Sequence, residues 1–340
     1  MSPPLLQISD LTVTFVSRSG LALEAVRGLD LTLEDGELHG IVGESGSGKS
    51  VAMMAVMGLL APSARVTGSV KLRGEELIGR PQRFLRRIRG ARIGYIFQDP
   101  MTALNPLLTV GAQLAEAVSI HNRSMSRGRI RERVLDLLRL VAIPSPERRL
   151  DQYPHEFSGG MRQRVVIAIA MANEPELLIA DEPTTALDVT IQAQIMELLR
   201  RLREDKGIGL VLVSHDLGVV AGSASRISIM YAGKVVERGS VEEVFAAPHH
   251  PYTRGLLASL PKLDQRVKRL TAIAGAPPAI YDRPSGCDFH PRCIHAVARC
   301  RAEVPRLRTV GGSEAACHLA EEIDRTLAAD AGRGYCVAGE

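Results

Sequence analysis

The apolar positions of this chain fall into three kinds of segment: alternating stretches, short continuous runs and amphipathic stretches. Residues 5–15 (LLQISDLTVTF) alternate, then meet polar, glycine-containing sequence, predicting a strand, a turn and a second strand over 25–33. Continuous apolar runs lie at 38–42 (LHGIV), 93–97 (IGYIF), 177–180 (LLIA) and 209–213 (GLVLV). Runs of that kind are buried strands, covered on both faces. A short strand is expected over 67–72, and a hairpin over 227–231 and 234–238 around Ala232-Gly233. Helices are expected over 51–60 (ending before Pro62), 161–172, 189–203 and 241–245. Residues 101–155 are polar and punctuated by Pro106, Pro144, Pro146 and Pro154; within them 127–141 carries an amphipathic stripe of Ile130, Val134, Leu137, Leu138 and Val141. The pattern predicts an α/β fold with a parallel core sheet, an N-terminal antiparallel β subdomain and a helical insertion.

The first chemistry stands between the 38–42 strand and the helix after it. Residues 43–50 read GESGSGKS, so a strand, a glycine-rich loop and a helix follow one another as a phosphate-binding loop requires. Gly43, Gly46 and Gly48 let the backbone of Glu44, Ser45 and Ser47 bring its N–H groups close to phosphate oxygens. The helix N-terminus, at Ser50 and Val51, adds its unpaired donors. Lys49 supplies a cation for the outer phosphates, and the Ser50 hydroxyl can ligate Mg²⁺. A nucleotide phosphate chain and Mg²⁺ are the expected ligands. Phe15, near a loop, is a candidate adenine platform or else a core aromatic.

Polar residues at the ends of the other apolar runs extend this picture. Ligands sit at the carboxyl ends of strands in open α/β sheets. Gln98 follows the 93–97 run and can ligate Mg²⁺ or orient a water. Asp181 and Glu182 follow the 177–180 run: Asp181 is a Mg²⁺ ligand, directly or through water, and Glu182 a general base for the attacking water. His215 follows the 209–213 run and can hydrogen-bond a γ-phosphate oxygen. Asp188 precedes the 189–203 helix. Ser158, Gly159, Gly160 and Met161 open the 161–172 helix, a second anion-binding helix start far from the first in sequence.

Composition narrows the possibilities. The 340 residues are 45% hydrophobic and 24% charged, ordinary for a globular protein of two or three domains. A net charge of +4, no Trp and 4% aromatic residues argue against nucleic acid as a partner. Arg80, Arg83, Arg86, Arg87, Arg89 and Arg92 form a basic stretch. It reads as a solvated helix face, with an anionic membrane surface or a partner's acidic loop as the other readings. The start, MSPPLLQISD, has neither the basic opening nor the apolar core of a signal peptide. No apolar run approaches the ~20 residues that span a bilayer. A cytoplasmic protein is expected, with any membrane crossing left to other subunits.

All five cysteines lie at or beyond residue 287. Cys287, Cys293, Cys300 and Cys317 are separated by five, six and sixteen residues. Four thiolates can hold Zn²⁺ or an iron–sulfur cluster. Structural zinc favours tight C-x₂₋₄-C pairs, absent here, which tilts the reading toward a cluster; zinc and unligated thiols stay open. Cys336, in a Gly-rich tail, is read as binding nothing, and His290, His295 and His318 as polar loop residues.

Taken together, the motifs resemble the ATPase subunits of ABC transporters, a branch of the P-loop NTPases. The matching pieces are GESGSGKS at 43–50 (Walker A), Gln98 (Q-loop), FSGGM at 157–161 (signature), LLIADE at 177–182 (Walker B), ALD at 186–188 (D-loop) and His215 (switch histidine). One departure is FSGGM in place of LSGGQ, with the Ser-Gly-Gly core kept. The resemblance covers residues 5 to about 250 and implies a head-to-tail pair of subunits. In such a pair, Ser158, Gly159, Gly160 and Met161 complete the partner's ATP site.

FQDPMTALNP at 97–106, YPHEFSGGMRQRV at 153–165, ADEPTTALDVTIQAQI at 180–195 and HPYTRGLLASLP at 250–261 are similar to the dipeptide and oligopeptide importer branch, especially the first of two ATPase subunits of bacterial dipeptide permeases. That branch implies a nucleotide-binding domain over 1–250, with its helical subdomain at about 100–165, and a Cys-rich extension over 251–340. It also implies a paralogous ATPase partner, two transmembrane permease subunits, a periplasmic or extracellular peptide-binding protein, and a place on the cytoplasmic face of the inner membrane. Some members carry a [4Fe–4S] cluster in an element like GCDFHPRCIHAVARC, so the resemblance implies one at Cys287, Cys293, Cys300 and Cys317. Nickel, glutathione and antimicrobial-peptide transporters share the branch. A soluble ABC ATPase acting on nucleic acid or ribosomes usually has two cassettes or a long coiled-coil insertion; here about 58 residues separate Gln98 from Phe157.

Overall fold

A computed structural model describes residues 3–17, 20–185, 187–260 and 273–323; Ala186 and Cys336 lie outside the described residues. Along the chain, β1 (Leu6–Val16) and β2 (Ala22–Leu33) pair antiparallel, and β3 (Leu38–Val42) leads into α1 (Lys49–Val56). Next come β4 (Ala64–Leu72), β5 (Glu75–Glu76), α2 (Gln82–Ile88) and β6 (Ile93–Ile96). The helical insertion contains α3 (Pro100–Ala103), α4 (Val110–Ser119), α5 (Arg127–Leu140), α6 (Pro146–Arg149) and α7 (Gly159–Ala170). The chain returns through β7 (Leu177–Asp181), α8 (Val189–Lys206), β8 (Gly209–Ser214), α9 (Leu217–Ala221), β9 (Arg226–Tyr231) and β10 (Lys234–Ser240). It continues through α10 (Val241–Ala246), α11 (Pro251–Ala258), α12 (Ala298–Ala302), β11 (Arg308–Val310) and β12 (Ser313–Ala315).

Two sheets result. One is antiparallel, in the order β2-β1-β4-β5; the other has eight strands, in the order β11-β12-β10-β9-β3-β8-β7-β6. Strands β9, β3, β8, β7 and β6 run parallel, as the continuous apolar runs predict, and β10, β12 and β11 add an antiparallel edge. The sequence pattern gave no sign of β11 and β12, which carry the cysteine extension onto the main sheet.

The period-two geometry of a strand splits the core in two. Leu38, Val42, Leu178, Ala180, Leu210 and Leu212 face the helical insertion and α8. Ile41, Leu177, Ile179, Val211 and Val213 face α1 and the antiparallel sheet. Helix α7 packs on α3, α4, α5, α8 and β6, and its second half, 165–170 (VVIAIA), is apolar on every side because it is buried among them. Predicted helix ends move, α7 by two residues at each end and two C-termini by three or more. Helix α1 stops at Val56, because Gly58, at φ 59°, donates back to Ala55 and closes the turn. Helix α8 runs on to Lys206, where Gly207, at φ 64°, makes a left-handed cap. In the basic stretch, Arg89 donates to the Met57 and Gly58 carbonyls, and Arg92 pairs with Glu75 and Glu176, so these two tie elements together.

Candidate nucleotide site and cysteine element

The loop 43–48 leaves the carboxyl end of β3, and two of its glycines are sterically required. A Cβ on Gly43 would lie 2.2 Å from the Met230 carbonyl oxygen, and one on Gly48, at φ 99°, 2.4 Å from that of Ala25. Gly48 caps α1 in a left-handed conformation, so the helix begins at Lys49 and the N–H groups of its first turn open toward the loop. Lys49 Nζ donates to the carbonyls of Gly43 (2.7 Å) and Glu44 (3.0 Å), and stands 3.9 Å from the Glu182 carboxylate. Burial lowers its pKa, and the carboxylates of Glu182, Asp181 and Glu44 oppose that.

The adjacent parallel strands bring the strand-end residues together. Ser50 Oγ donates to Asp181 Oδ1 at 2.8 Å, and Tyr95 Oη to Asp181 Oδ2 at 2.9 Å. Burial raises the Asp181 pKa, with the neighbouring Glu182 acting the same way, against the two hydroxyl donors. A divalent cation beside Ser50 and Asp181 would reverse that balance. Glu182 sits at φ 47°, a left-handed conformation uncommon outside glycine, with its N–H on the Val213 carbonyl. Its Oε2 accepts from Gln98 Nε2 (2.9 Å) and Thr185 Oγ1 (3.0 Å), and lies 3.1 Å from His215 Nδ1. Gln98 and His215 thus converge on Glu182, beside Lys49, while Asp181 next to it in the chain takes Ser50. Tyr95, on Asp181, and Thr185, on Glu182, join them, and neither stands out in the sequence pattern. Phe15 is half-buried in β1 and packs against the apolar core beneath the antiparallel sheet.

The second helix start lies elsewhere. Ser158 caps α7, with Oγ accepting from the Met161 N–H, and both Ser158 and Gly159 are exposed. A Cβ on Gly159 would meet only Leu187, at 3.6 Å, whereas one on Gly160 would press to 2.7 Å from Ile191. Asp188 caps α8 by accepting from the Ile191 N–H at 3.0 Å.

In the extension, Cys287, Cys293, Cys300 and Cys317 line one small cavity, together with Phe289, His290 and His318. Burial pushes Cys287 up, and pushes Cys293 and Cys317 up to about 12, reinforced by neighbouring thiols. The two histidines are engaged with backbone, His290 Nδ1 at 3.0 Å from the Cys287 carbonyl and His318 Nε2 at 2.9 Å from that of Glu303. Among the described residues, no three His, Cys, Asp or Glu side chains are placed to hold a single metal ion.

Comparison with known proteins agrees with this geometry. Residues 26–185 match the ABC transporter family, and residues 236–300 the oligopeptide/dipeptide transporter C-terminal region. The chain is 51% identical to the dipeptide transport ATP-binding protein DppD of Bacillus subtilis, over 88% of this chain and 90% of that protein. It is 49% identical to DppD of Escherichia coli, over 92% of this chain and 96% of that one. The oligopeptide transport ATP-binding protein OppD of Mycobacterium tuberculosis is 50% identical over 96% of this chain, which spans only 54% of that relative. Among solved structures, the dimeric ATP-binding cassette MJ0796 in a post-hydrolysis state with ADP and Pi aligns at a TM-score of 0.63 and 31% identity, over 69% of this chain and 98% of that one. This chain belongs to the ATP-binding subunits of the ABC transporter family, in its oligopeptide and dipeptide transporter branch.

Proposed function

We propose that this chain is the ATP-hydrolysing subunit of a membrane importer of di- and oligopeptides. The convergence of Gln98, Glu182 and His215 beside Lys49 carries the hydrolytic part of that reading. The C-terminal region, shared with proteins named for dipeptide and oligopeptide transport, carries the cargo part. Amides of residues 44–51 and Lys49 would cradle the phosphates, with Phe15 beside the adenine. Ser50, Asp181 and Gln98 would hold Mg²⁺, which neutralises charge on the β- and γ-phosphates when bound. Glu182 accepts a proton as a water oxygen bonds to the γ-phosphorus; the bond to the bridging oxygen breaks, giving ADP and phosphate. His215 and Gln98 hold the Glu182 carboxylate in place, and His215 can turn to the γ-phosphate.

Residues 1–250 serve as the nucleotide-binding domain and 251–340 as its extension. Ser158, Gly159, Gly160, Met161 and Asp188 would face the site of a paralogous ATPase subunit set head to tail. Among the described residues no helix is long and apolar enough to cross a membrane, so two permease subunits would supply the channel. Phe97, Met101, Leu107 and Leu108 are exposed apolar residues around Gln98 and α3, with Leu107 82% exposed. They offer such partners a docking face on the cytoplasmic side, linked to the catalytic glutamate through Gln98. With an extracytoplasmic peptide-binding protein and the co-expressed partners in vesicles, the expected result is ATP hydrolysis stimulated by peptide. Stimulation by a nickel chelate or glutathione alone would replace the cargo and keep the architecture.

The four cysteines fit a [4Fe–4S] cluster better than zinc. Structural zinc favours tight C-x₂₋₄-C pairs, which the spacing of Cys287, Cys293, Cys300 and Cys317 lacks. A four-iron cluster takes one thiolate at each iron and accepts wider spacing around a common cavity. Among the described residues, the extension's own separate core cluster is small, Val310, Ala315, Cys317, Ala320 and Ile323, so a covalent staple has structural value there. Anaerobically purified protein is expected to be brown, with about four iron atoms per chain, and Cys300→Ser to lose colour and iron together. Colourless protein holding one zinc would overturn the assignment.

A further inference from the structure

The cysteine element reaches back across the sequence to the phosphate loop and grips one residue of it. All polar groups of Glu44 are engaged. Its N–H donates to Tyr252 Oη at 2.9 Å, and its carbonyl accepts from Lys49. Its carboxylate accepts from Arg292 Nη1 at 2.8 Å and Nη2 at 3.0 Å. Arg292, adjacent to Cys293, is buried and held on every side. Its Nε donates to the Ala274 carbonyl (2.9 Å), its Nη1 to Tyr231 Oη (3.3 Å) and its Nη2 to the Ile273 carbonyl (3.4 Å). Its guanidinium lies 5.8 Å from the Tyr231 ring centroid and 5.9 Å from that of Phe289. Asp288, adjacent to Cys287, takes Arg27 of β2 through both carboxylate oxygens at 2.9 Å. The extension is therefore anchored to the nucleotide-binding domain independently of the loop, and Arg292 projects from a fixed base.

We propose that Arg292 is a positioning residue for the phosphate loop, and that the cysteine element presets ATP affinity through it. Two physical effects act together. A glycine-rich loop loses conformational freedom when its amides converge on a ligand, and a clamp that fixes its entry residue removes part of that cost beforehand. Glu44 also places a carboxylate beside a site for a triphosphate, and the bidentate guanidinium neutralises it. Without Arg292 that charge faces the phosphates and competes for Lys49.

The proposal rests on the nucleotide reading of the loop, which ATP binding by the unaltered full-length chain tests separately. ATP dissociation constants are measured by calorimetry, with thermal unfolding followed in parallel. Arg292→Met is expected to weaken ATP binding about tenfold, and Arg292→Lys less, since it keeps the charge and loses the fork. Adding Glu44→Gln to Arg292→Met is expected to recover much of the loss, because the unpaired charge is gone. A merely structural contact would give a double variant no better than Arg292→Met, and that result, or affinity within twofold of wild type for Arg292→Met, would overturn the proposal. Should Arg292→Met fail to fold, Tyr252→Phe removes a single oxygen from the same clamp. It is expected to weaken binding about threefold, and unchanged affinity there would equally overturn it.

Discussion

Glu182→Gln is expected to bind ATP as the unaltered chain does and to hydrolyse it about 10²- to 10⁴-fold more slowly, the range a general base contributes. The substitution is close to isosteric. The side-chain oxygen that remains can still accept from Gln98 and Thr185, and the packing under the unusual φ of 47° is unchanged. What is lost is the basic carboxylate nearest Lys49 and His215. In the proposed head-to-tail pair, bound ATP that is not hydrolysed should then hold the two subunits together. Phosphate release and ATP-dependent dimer formation on a sizing column check the two halves of the result. Wild-type turnover in this variant would remove Glu182 as the base. Loss of ATP binding would mean that the carboxylate serves mainly to position Lys49.

The candidate cluster was legible because parallel strands buried on both faces leave a plain mark, a run of four or five apolar residues followed by an abrupt polar one. Gln98, Asp181 with Glu182, and His215 each stand at the end of such a run, and the in-register pairing of β6, β7 and β8 brings those ends together. Residues that act from inside or across the fold left no such mark. Tyr95 sits within an apolar run, where a tyrosine reads as one more core aromatic, yet its hydroxyl reaches Asp181. Arg292 and Tyr252 lie 248 and 208 residues from Glu44, and no local pattern announces a contact at that range. The strands β11 and β12 have three residues each, too few for a period to show. Helix ends were misjudged where a left-handed residue, Gly58 or Gly207, decided the stop, because apolar spacing carries no information on φ.

Gly159→Asp separates the two helix starts of this chain by function. The position is exposed, and a new Cβ would find only Leu187, at 3.6 Å, so the fold tolerates a side chain there. Gly160 gives no such freedom, with Ile191 at 2.7 Å from the same virtual atom. A carboxylate at the N-terminus of α7 satisfies that helix's own donors and places negative charge where a neighbouring subunit would present its γ-phosphate. The altered chain should therefore bind ATP in its own loop within twofold of wild type. In the assembled pair, hydrolysis at the partner's loop should fall about 10²- to 10³-fold, the scale of losing oriented donors to a phosphoryl group. Single-turnover measurements, with the partner's loop as the only intact one, read this directly through a Lys49→Ala change in the same altered chain. An unchanged rate at the partner's loop would show that Ser158, Gly159 and Gly160 only cap a helix. A loss of ATP binding in the chain bearing Gly159→Asp alone would instead make both helix starts part of one site within a single subunit.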